Sequence, residues 1–315
     1  MRRSIGLLVA AALLVPATPA PAVTPRPDTP RAEVLHRVVW DQYETKGTHL
    51  WSANPDGSDA RKIYVRPVGF VEDVTLNRQG TEAAVAPVAL RATRAALVVV
   101  DVMGGSRPQN LLADHPEIYF VGGIGWSPSG HKLVFEGSID HGSAGLHEYL
   151  FTVRRDGTRL RRIAALGRIT EVDPGVISNA LAWTRSGVLY RDRAGLQLLS
   201  HGKTRTLVPG RFRQQITGDG TWLYLERLRN GRQEFWRLHP DGSGVELLYR
   251  MGEPGDGHPY VYDWAPSYDG SQMLSYLDTG GYASEYHVVT HDATRAPSST
   301  DPTLPFSGIG AITWN

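Results

Sequence analysis

Apolar and polar residues alternate along this chain in short runs with a period of two, and no long helical period appears beyond the first residues. The clearest runs come in pairs joined by a tight turn. "LWSANPDGSDARKIYV" (50–65), "LFTVRRDGTRLRRIAA" (150–165) and "FWRLHPDGSGVELLYR" (235–250) each read as strand, turn, strand. Aspartate suits the turn because it binds its own backbone, and the following glycine accepts a positive φ. In the third stretch Phe235 and Arg237 face away from Trp236, as Phe151 and Val153 face away from Thr152.

A second pattern is an apolar strand ending near a tryptophan, a turn, and another apolar strand. It is clearest in "GIGWSPSGHKLVFEGS" (123–138) and "VYDWAPSYDGSQMLSYLD" (261–278), and shorter in "NALAWTRSGVLYRDR" (179–193). "RQQITGDGTWLYLERL" (213–228) moves the aromatic, and "VEDVTLNRQGTEAAVAPV" (71–88) is degenerate. In order, the two patterns give a unit of four short strands. The first strands fall near 71–77, 121–127, 179–184, 213–217, 260–265 and 309–314, spaced about fifty residues apart, the length of a propeller blade. The unit at 37–44 lacks a first strand, and "GIGAITWN" (308–315) is a first strand with nothing after it. The expectation is all-β: a six-bladed β-propeller over 37–315, closed by the C-terminal strand pairing into the first blade, with the blade around 179–210 the tightest. Trp126, Trp183, Trp264 and Trp314 are expected at one repeat position between blades, and Asp56, Asp156 and Asp241 in turns.

These motifs, above all "WSPSG" (126–130), "WAPSYDGSQMLSY" (264–276) and the three strand–DG–strand stretches, resemble the TolB-type β-propeller repeat family. The resemblance covers roughly residues 37–315 and implies the fold; such repeats serve many roles. TolB proper carries an N-terminal α/β domain, whereas only a leader precedes the first blade here. Peptidases with such propellers carry a hydrolase domain, and this chain has no G-x-S-x-G elbow.

The N-terminus adds an address. Arg2 and Arg3, the apolar run Ile5 to Val15 and Ala20-Pro21-Ala22 read as a signal peptide over 1–22, and 23–36 as a Pro-rich leader. That predicts an exported protein, secreted or associated with the cell envelope. The chain has no cysteine, which excludes disulfides, thiolate catalysis, cysteine-ligated metals and a lipoprotein anchor. No apolar run is of transmembrane length. With a net charge of +1, nucleic acid is not an expected partner. Lys46, Lys62, Lys132 and Lys203 are the only lysines; the arginine bias reads as genome composition.

Candidate chemistry falls on the long connections, 87–97, 113–121, 137–148, 166–178, 251–260 and 277–285, which a propeller places on one face. Asp140, His141, His147 and Glu148 share one loop, and Asp256, His258, Tyr260, Tyr262 and Asp263 another. Glu171, Asp173 and Asn179 add acceptors, and Arg211 and Arg213 can meet an anion. Tyr119, Phe120, Tyr260 and Tyr282 can stack on a sugar or a partner chain. Glu72, Asp73 and Asp263, near the channel mouth, are the candidate ligands for a divalent cation such as calcium, set against a plain water-filled channel. The leading reading is an exported, non-catalytic propeller that binds a protein or cell-envelope glycan through the long-loop face, without a required cofactor. The alternative is a metal-assisted lyase or hydrolase acting on carbohydrate or a lactone over the channel, which needs several of these acids and histidines to converge. A purely structural scaffold is a third.

Overall fold

A computed structural model describes residues 34–44, 47–67, 69–88, 95–168, 181–192, 194–210, 212–252, 260–278, 286–298, 300–304 and 309–314. They lie in one compact unit, Glu33–Asn315. The segment expected to be a signal peptide and nearly all of the expected leader fall outside them; Leu35 and His36, at the end of the expected leader, sit against Gln79 and Tyr268.

The described strands form six antiparallel sheets of four. Blade 1 holds β1 (Val38–Glu44), β2 (Gly47–Ala53) and β3 (Arg61–Arg66). Blade 2 is β4 (Phe70–Leu76), β5 (Glu82–Val88), β6 (Val98–Asp101) and β7 (Gln109–Asn110). Blade 3 is β8 (Ile118–Trp126), β9 (Lys132–Asp140), β10 (Leu146–Arg154) and β11 (Arg161–Arg168). Blade 4, the shortest, is β12 (Ala182–Trp183), β13 (Val188–Asp192), β14 (Gly195–Ser200) and β15 (Lys203–Pro209). Blade 5 is β16 (Arg213–Ile216), β17 (Leu223–Arg229), β18 (Arg232–Leu238) and β19 (Glu246–Met251). Blade 6 is β20 (Tyr260–Pro266), β21 (Gln272–Asp278), β22 (Tyr286–Asp292) and β23 (Thr303–Leu304). The last strand, β24 (Ile309–Trp314), pairs antiparallel with β1 as the inner strand of blade 1, with Trp314 opposite Val38 and Ile312 opposite Trp40. The fold is the expected six-bladed propeller with its expected closure.

The repeated turns form for the same local reason each time. Asp56 Oδ1 accepts the Ser58 N–H at 2.9 Å and its hydroxyl at 2.6 Å. Asp156 does the same with Thr158, and Asp241 with Ser243. Gly157 completes its turn at φ +84°, where a side chain would be strained. These three are therefore turn residues, as expected.

Six apolar clusters lie between neighbouring blades. One joins Ala84 and Val99 of blade 2 to Trp126 and Phe135 of blade 3. Another joins Val38, Trp40, Ile312 and Trp314 of blade 1 to Ala265 and Leu274 of blade 6. Each sheet is thus apolar on both faces, and each buries them against two neighbours. All four tryptophans pack in such clusters. They do not share one repeat position. Trp126, Trp183 and Trp314 end their inner strands, opposite Leu133, Val188 and Val38. Trp264 stands two residues earlier, because Pro266 takes the end position opposite Met273.

Near the axis the inner strands crowd. A Cβ at Gly125 would lie 2.8 Å from the Leu181 carbonyl oxygen of blade 4. Gly125→Val is therefore expected to lower stability by about 1–3 kcal/mol, from overpacking against backbone. Removing residues 309–315 leaves the inner edge of β1 without a partner strand and should lower the melting temperature sharply and expose apolar surface to a hydrophobic dye. A truncated chain that melts like the full one would refute the closure.

Candidate functional site

The inner strands of blades 2, 3, 5 and 6 can be aligned by the bonds that close their turns: Asn77 N–Glu82 O, Ser127 N–Lys132 O, Thr217 N–Trp222 O and Ser267 N–Gln272 O. Four residues before each stand Asp73, Gly123, Arg213 and Asp263. At the matching level of the second strands, three residues beyond the partner of the inner strand's end, stand Asp41, Glu136, Arg191 and Glu226 in blades 1, 3, 4 and 5. One layer of the ring thus carries five acids and two arginines.

Most of this charge is tied up between blades. Asp73 Oδ2 accepts the Ile124 N–H of blade 3 at 2.8 Å. Asp263 Oδ2 accepts the Ile312 N–H of the closing strand at 3.0 Å. These are equivalent contacts: in each, an inner-strand carboxylate just past a bulge reaches the next blade's backbone. Arg213 donates to Asp263 at 2.7 Å, to Glu226 at 3.2 Å and to the Tyr262 carbonyl at 2.6 Å. Gln233, fully buried, donates to the Val261 carbonyl and to Glu226, and accepts the Val261 N–H. Trp126 Nε1 donates to the Thr75 carbonyl at 3.1 Å. All but the two bonds to Glu226, which stay within blade 5, are seams between blades, and none of these groups is oriented as a nucleophile with its base.

Burial sets the acidity of the layer. It pushes Asp73 up to about 7, against the hydrogen bonds from Ile124 and Val74 that favour its charged form, with Asp263 and Glu72 adding repulsion. It pushes Asp263 up to about 6, against the Arg213 guanidinium and the backbone bonds of Trp264 and Ile312. Glu136 is held well above the usual carboxylate range by burial and by Glu148, with Arg191 opposing, and Glu148 is raised by burial. The exposed turn acids Asp56, Asp156 and Asp241 move the other way, first through the hydroxyls that bind them.

Asp73, Arg191, Arg213 and Asp263 line a central cavity of about 870 Å³. Its wall also includes turn residues Ser127, Pro128, Thr184, Arg185 and Thr217 to Thr221. The short turns, expected to be structural only, therefore also line the channel. Beside them Trp222 stacks on His239 at 4.2 Å between ring centroids, and the Arg237 guanidinium lies 4.5 Å from the Trp222 ring centroid.

The expected site residues separate into three groups. Asp73 and Asp263 reach the channel and act as seams, with Arg213 bridging and Glu72 on the cavity wall. His141 and His147 come together away from the channel wall, their rings 5.0 Å apart, with His141 Nε2 2.9 Å from the Tyr149 hydroxyl. Tyr260 meets Tyr262 edge-on at 5.1 Å, Tyr262 meets Tyr276 at 6.1 Å, and Tyr119 is 49% exposed. Asp173, Arg211, His258 and Tyr282, with Asn179 and Glu171, lie outside the described residues. Among the described residues no three histidine, aspartate or glutamate side chains gather to hold a metal ion. Sequence reading missed Asp41, Glu136, Arg191 and Glu226. The signal was there in "KLVFEGS", where one acid interrupts an apolar strand.

No family model and no curated protein matches the sequence. Solved structures do. TolB from Acinetobacter baumannii superposes with a TM-score of 0.60 at 13% identity, over 89% of this chain and 66% of TolB, so the chain spans just under two thirds of that protein's length. The nidogen/laminin complex gives 0.57 at 13% identity, over 89% of this chain and 97% of the other. Oligogalacturonate lyase in complex with manganese gives 0.51 at 13%, over 86% and 76%. At such identities the shared property is the fold, and it agrees with the TolB-type resemblance of the repeats. No helix among the described residues is long and apolar enough to cross a membrane.

The raised acids give stability a definite pH dependence. Between pH 3.8 and about 7 folded Asp73 holds a proton that the unfolded chain has released. Its contribution is complete below 3.8 and is lost as pH rises through about 7. Asp263, Glu136 and Glu148 have the same sign, while the turn acids act only below their ordinary value. The melting temperature should fall from pH 5 to pH 8. Asp73→Asn keeps an acceptor for Ile124 N–H and loses the ionisation, so it should match the parent at pH 5 and exceed it at pH 8. Parallel profiles for the two proteins would refute this account.

Proposed function

We propose that the protein is an exported, non-catalytic β-propeller that binds a protein or a cell-envelope glycan through its long-loop face. The observation that carries this is the aromatic rim at that end of the inner strands. Tyr262, 40% exposed, is packed against Tyr260 and Tyr276 with the half-exposed Arg213 donating to its carbonyl, and Tyr119 of blade 3 is 49% exposed. Tyrosine with arginine is the composition of recognition hot spots, since both combine a flat apolar surface with a directional donor. The channel charges, by contrast, hold the ring together. The N-terminal pattern of Arg2 to Ala22 supports export.

One observation favours the enzyme reading. Asp73, with its pKa near 7, faces a cavity large enough for a sugar, as a general acid would. In that reading Glu72, Asp73 and Asp263 also serve a divalent cation, and elemental analysis with thermal unfolding in the presence and absence of EDTA tests it.

For the binding reading, purified protein is titrated against fractionated envelope protein and envelope glycan. Tyr119→Ala with Tyr262→Ala should weaken binding roughly tenfold or more, with the melting temperature unchanged. Undiminished binding by the double variant, or turnover of a carbohydrate or lactone abolished by Asp73→Asn, would reverse the ranking of the two readings.

A further inference from the structure

The chain carries 33 basic and 32 acidic residues, yet 154–168 holds six arginines (154, 155, 159, 161, 162 and 168) and one acid, Asp156. The fold places this stretch at a particular spot. β11 is the outermost strand of blade 3, bonded to β10 on one side only; Arg154 ends β10, and the connection that follows carries Arg155 and Arg159. Arg155 is engaged by Glu82 of blade 2, and Asp156 by Thr158. Arg159, Arg161, Arg162 and Arg168 are exposed. Among the described residues none of these four is ion-paired with a carboxylate.

The positive stripe does not stop at the strand. Arg162 lies over the Tyr149 ring at 4.7 Å, and the Tyr149 hydroxyl meets His141. His147, beside His141, pairs in register with Arg168. Cationic and imidazole groups therefore stand at both ends of the blade edge, Arg159, Arg161 and Arg162 at the tight-turn end and Arg168 with His147 and His141 at the long-loop end. Eight extended residues span about 26 Å at roughly 3.3 Å each.

Cations commonly guard an exposed sheet edge against pairing with another chain. Elsewhere in this ring the edge cations are paired or fewer. Arg61 of β3 pairs with Asp59 and Arg250 of β19 with Glu234, and β15 carries one arginine, Arg205, which donates to the Asp241 carbonyl, beside Lys203. Only on blade 3 do several uncompensated guanidiniums line one edge among the described residues. A guanidinium is a planar fork that takes a carboxylate in two parallel hydrogen bonds, and a row of them suits an extended chain with one carboxylate per unit. Ile163, 38% exposed between Arg162 and Ala164, offers an apolar step beside the charges, as the face of a sugar ring requires.

We propose that the outer edge of blade 3, through Arg159, Arg161, Arg162 and Arg168 with His147 at its long-loop end, is a binding site for an acidic glycan of the uronate class. The proposal goes beyond the long-loop-face reading to a second surface and rests only on the export which that reading assumes, since an exported protein meets such polymers and not nucleic acid.

The test uses the full mature chain and polygalacturonate as the probe, with neutral dextran, anionic phospholipid vesicles and duplex DNA presented beside it. The protein should bind polygalacturonate and not dextran, with affinity falling steeply as salt rises. The triple variant Arg161→Gln, Arg162→Gln, Arg168→Gln should bind roughly tenfold or more weakly and keep the parental melting temperature, while Arg229→Gln, exposed on blade 5, should bind as the parent does. Absence of binding, or a triple variant that binds like the parent, overturns the site. Equal binding to vesicles or DNA at equal charge overturns the glycan assignment. Tyr119→Ala with Tyr262→Ala should leave polygalacturonate binding intact, so loss of the rim's partner and loss of the edge's polymer are separate readings of separate variants.

Discussion

The ring geometry governs everything else in this molecule. Six sheets converge on one axis, so their inner strands come close enough that backbone, not side chains, fills the gaps. Gly125 exists because the Leu181 carbonyl is already there. Polar groups at this level turn to the neighbouring blade's amides and carbonyls as well as to one another. Asp73 on Ile124, Asp263 on Ile312, Trp126 on Thr75 and Gln233 on Val261 are four solutions to that requirement. The apolar clusters farther out supply most of the driving force, and the seams fix the angle at which the blades meet.

The seams also account for the acidity of the channel. Five acids against two arginines at one level cannot all be ionised in a space shielded from water. The Arg213 bridge relieves Asp263, and nothing comparable among the described residues relieves Asp73, which is why Asp73 lies higher. Charge recruited for architecture leaves recognition to surfaces where the ring makes no demands: the aromatic rim and the outer edges. The two proposed binding surfaces lie on those surfaces, and they differ in physics. The rim is apolar with few charges, whereas the blade 3 edge is dense in guanidiniums and sensitive to salt.

What was legible in the sequence was whatever depends on neighbours along the chain. The Asp-Gly turns announce themselves because Asp56, Asp156 and Asp241 bind residues two positions on. The strands follow from alternation, and the closure follows from an odd strand at each end. What depends on bulges was hidden. Trp264 looks equivalent to Trp126, yet Pro266 shifts the turn and moves it two places along its strand. Asp263 was expected to point to the channel, and does; that it would bind an amide of the closing strand needed the register of a partner some fifty residues on. The acids of the second strands, Glu136 and Glu226, went unseen because their layer exists only once blades stand side by side. Arg154 to Arg168 was read as composition, and only its place on an edge strand makes it a surface.

The pairing of β24 with β1 joins segments separated by about 270 residues. During synthesis β1 emerges among the first strands and must wait for its inner neighbour while all the intervening blades are made. Until then blade 1 presents an open apolar edge, and the ring has no lower-energy way to hide it than to remain incomplete. Closure of the ring therefore waits on the last strand made, and the length of chain between β1 and β24 sets how long that edge stays open.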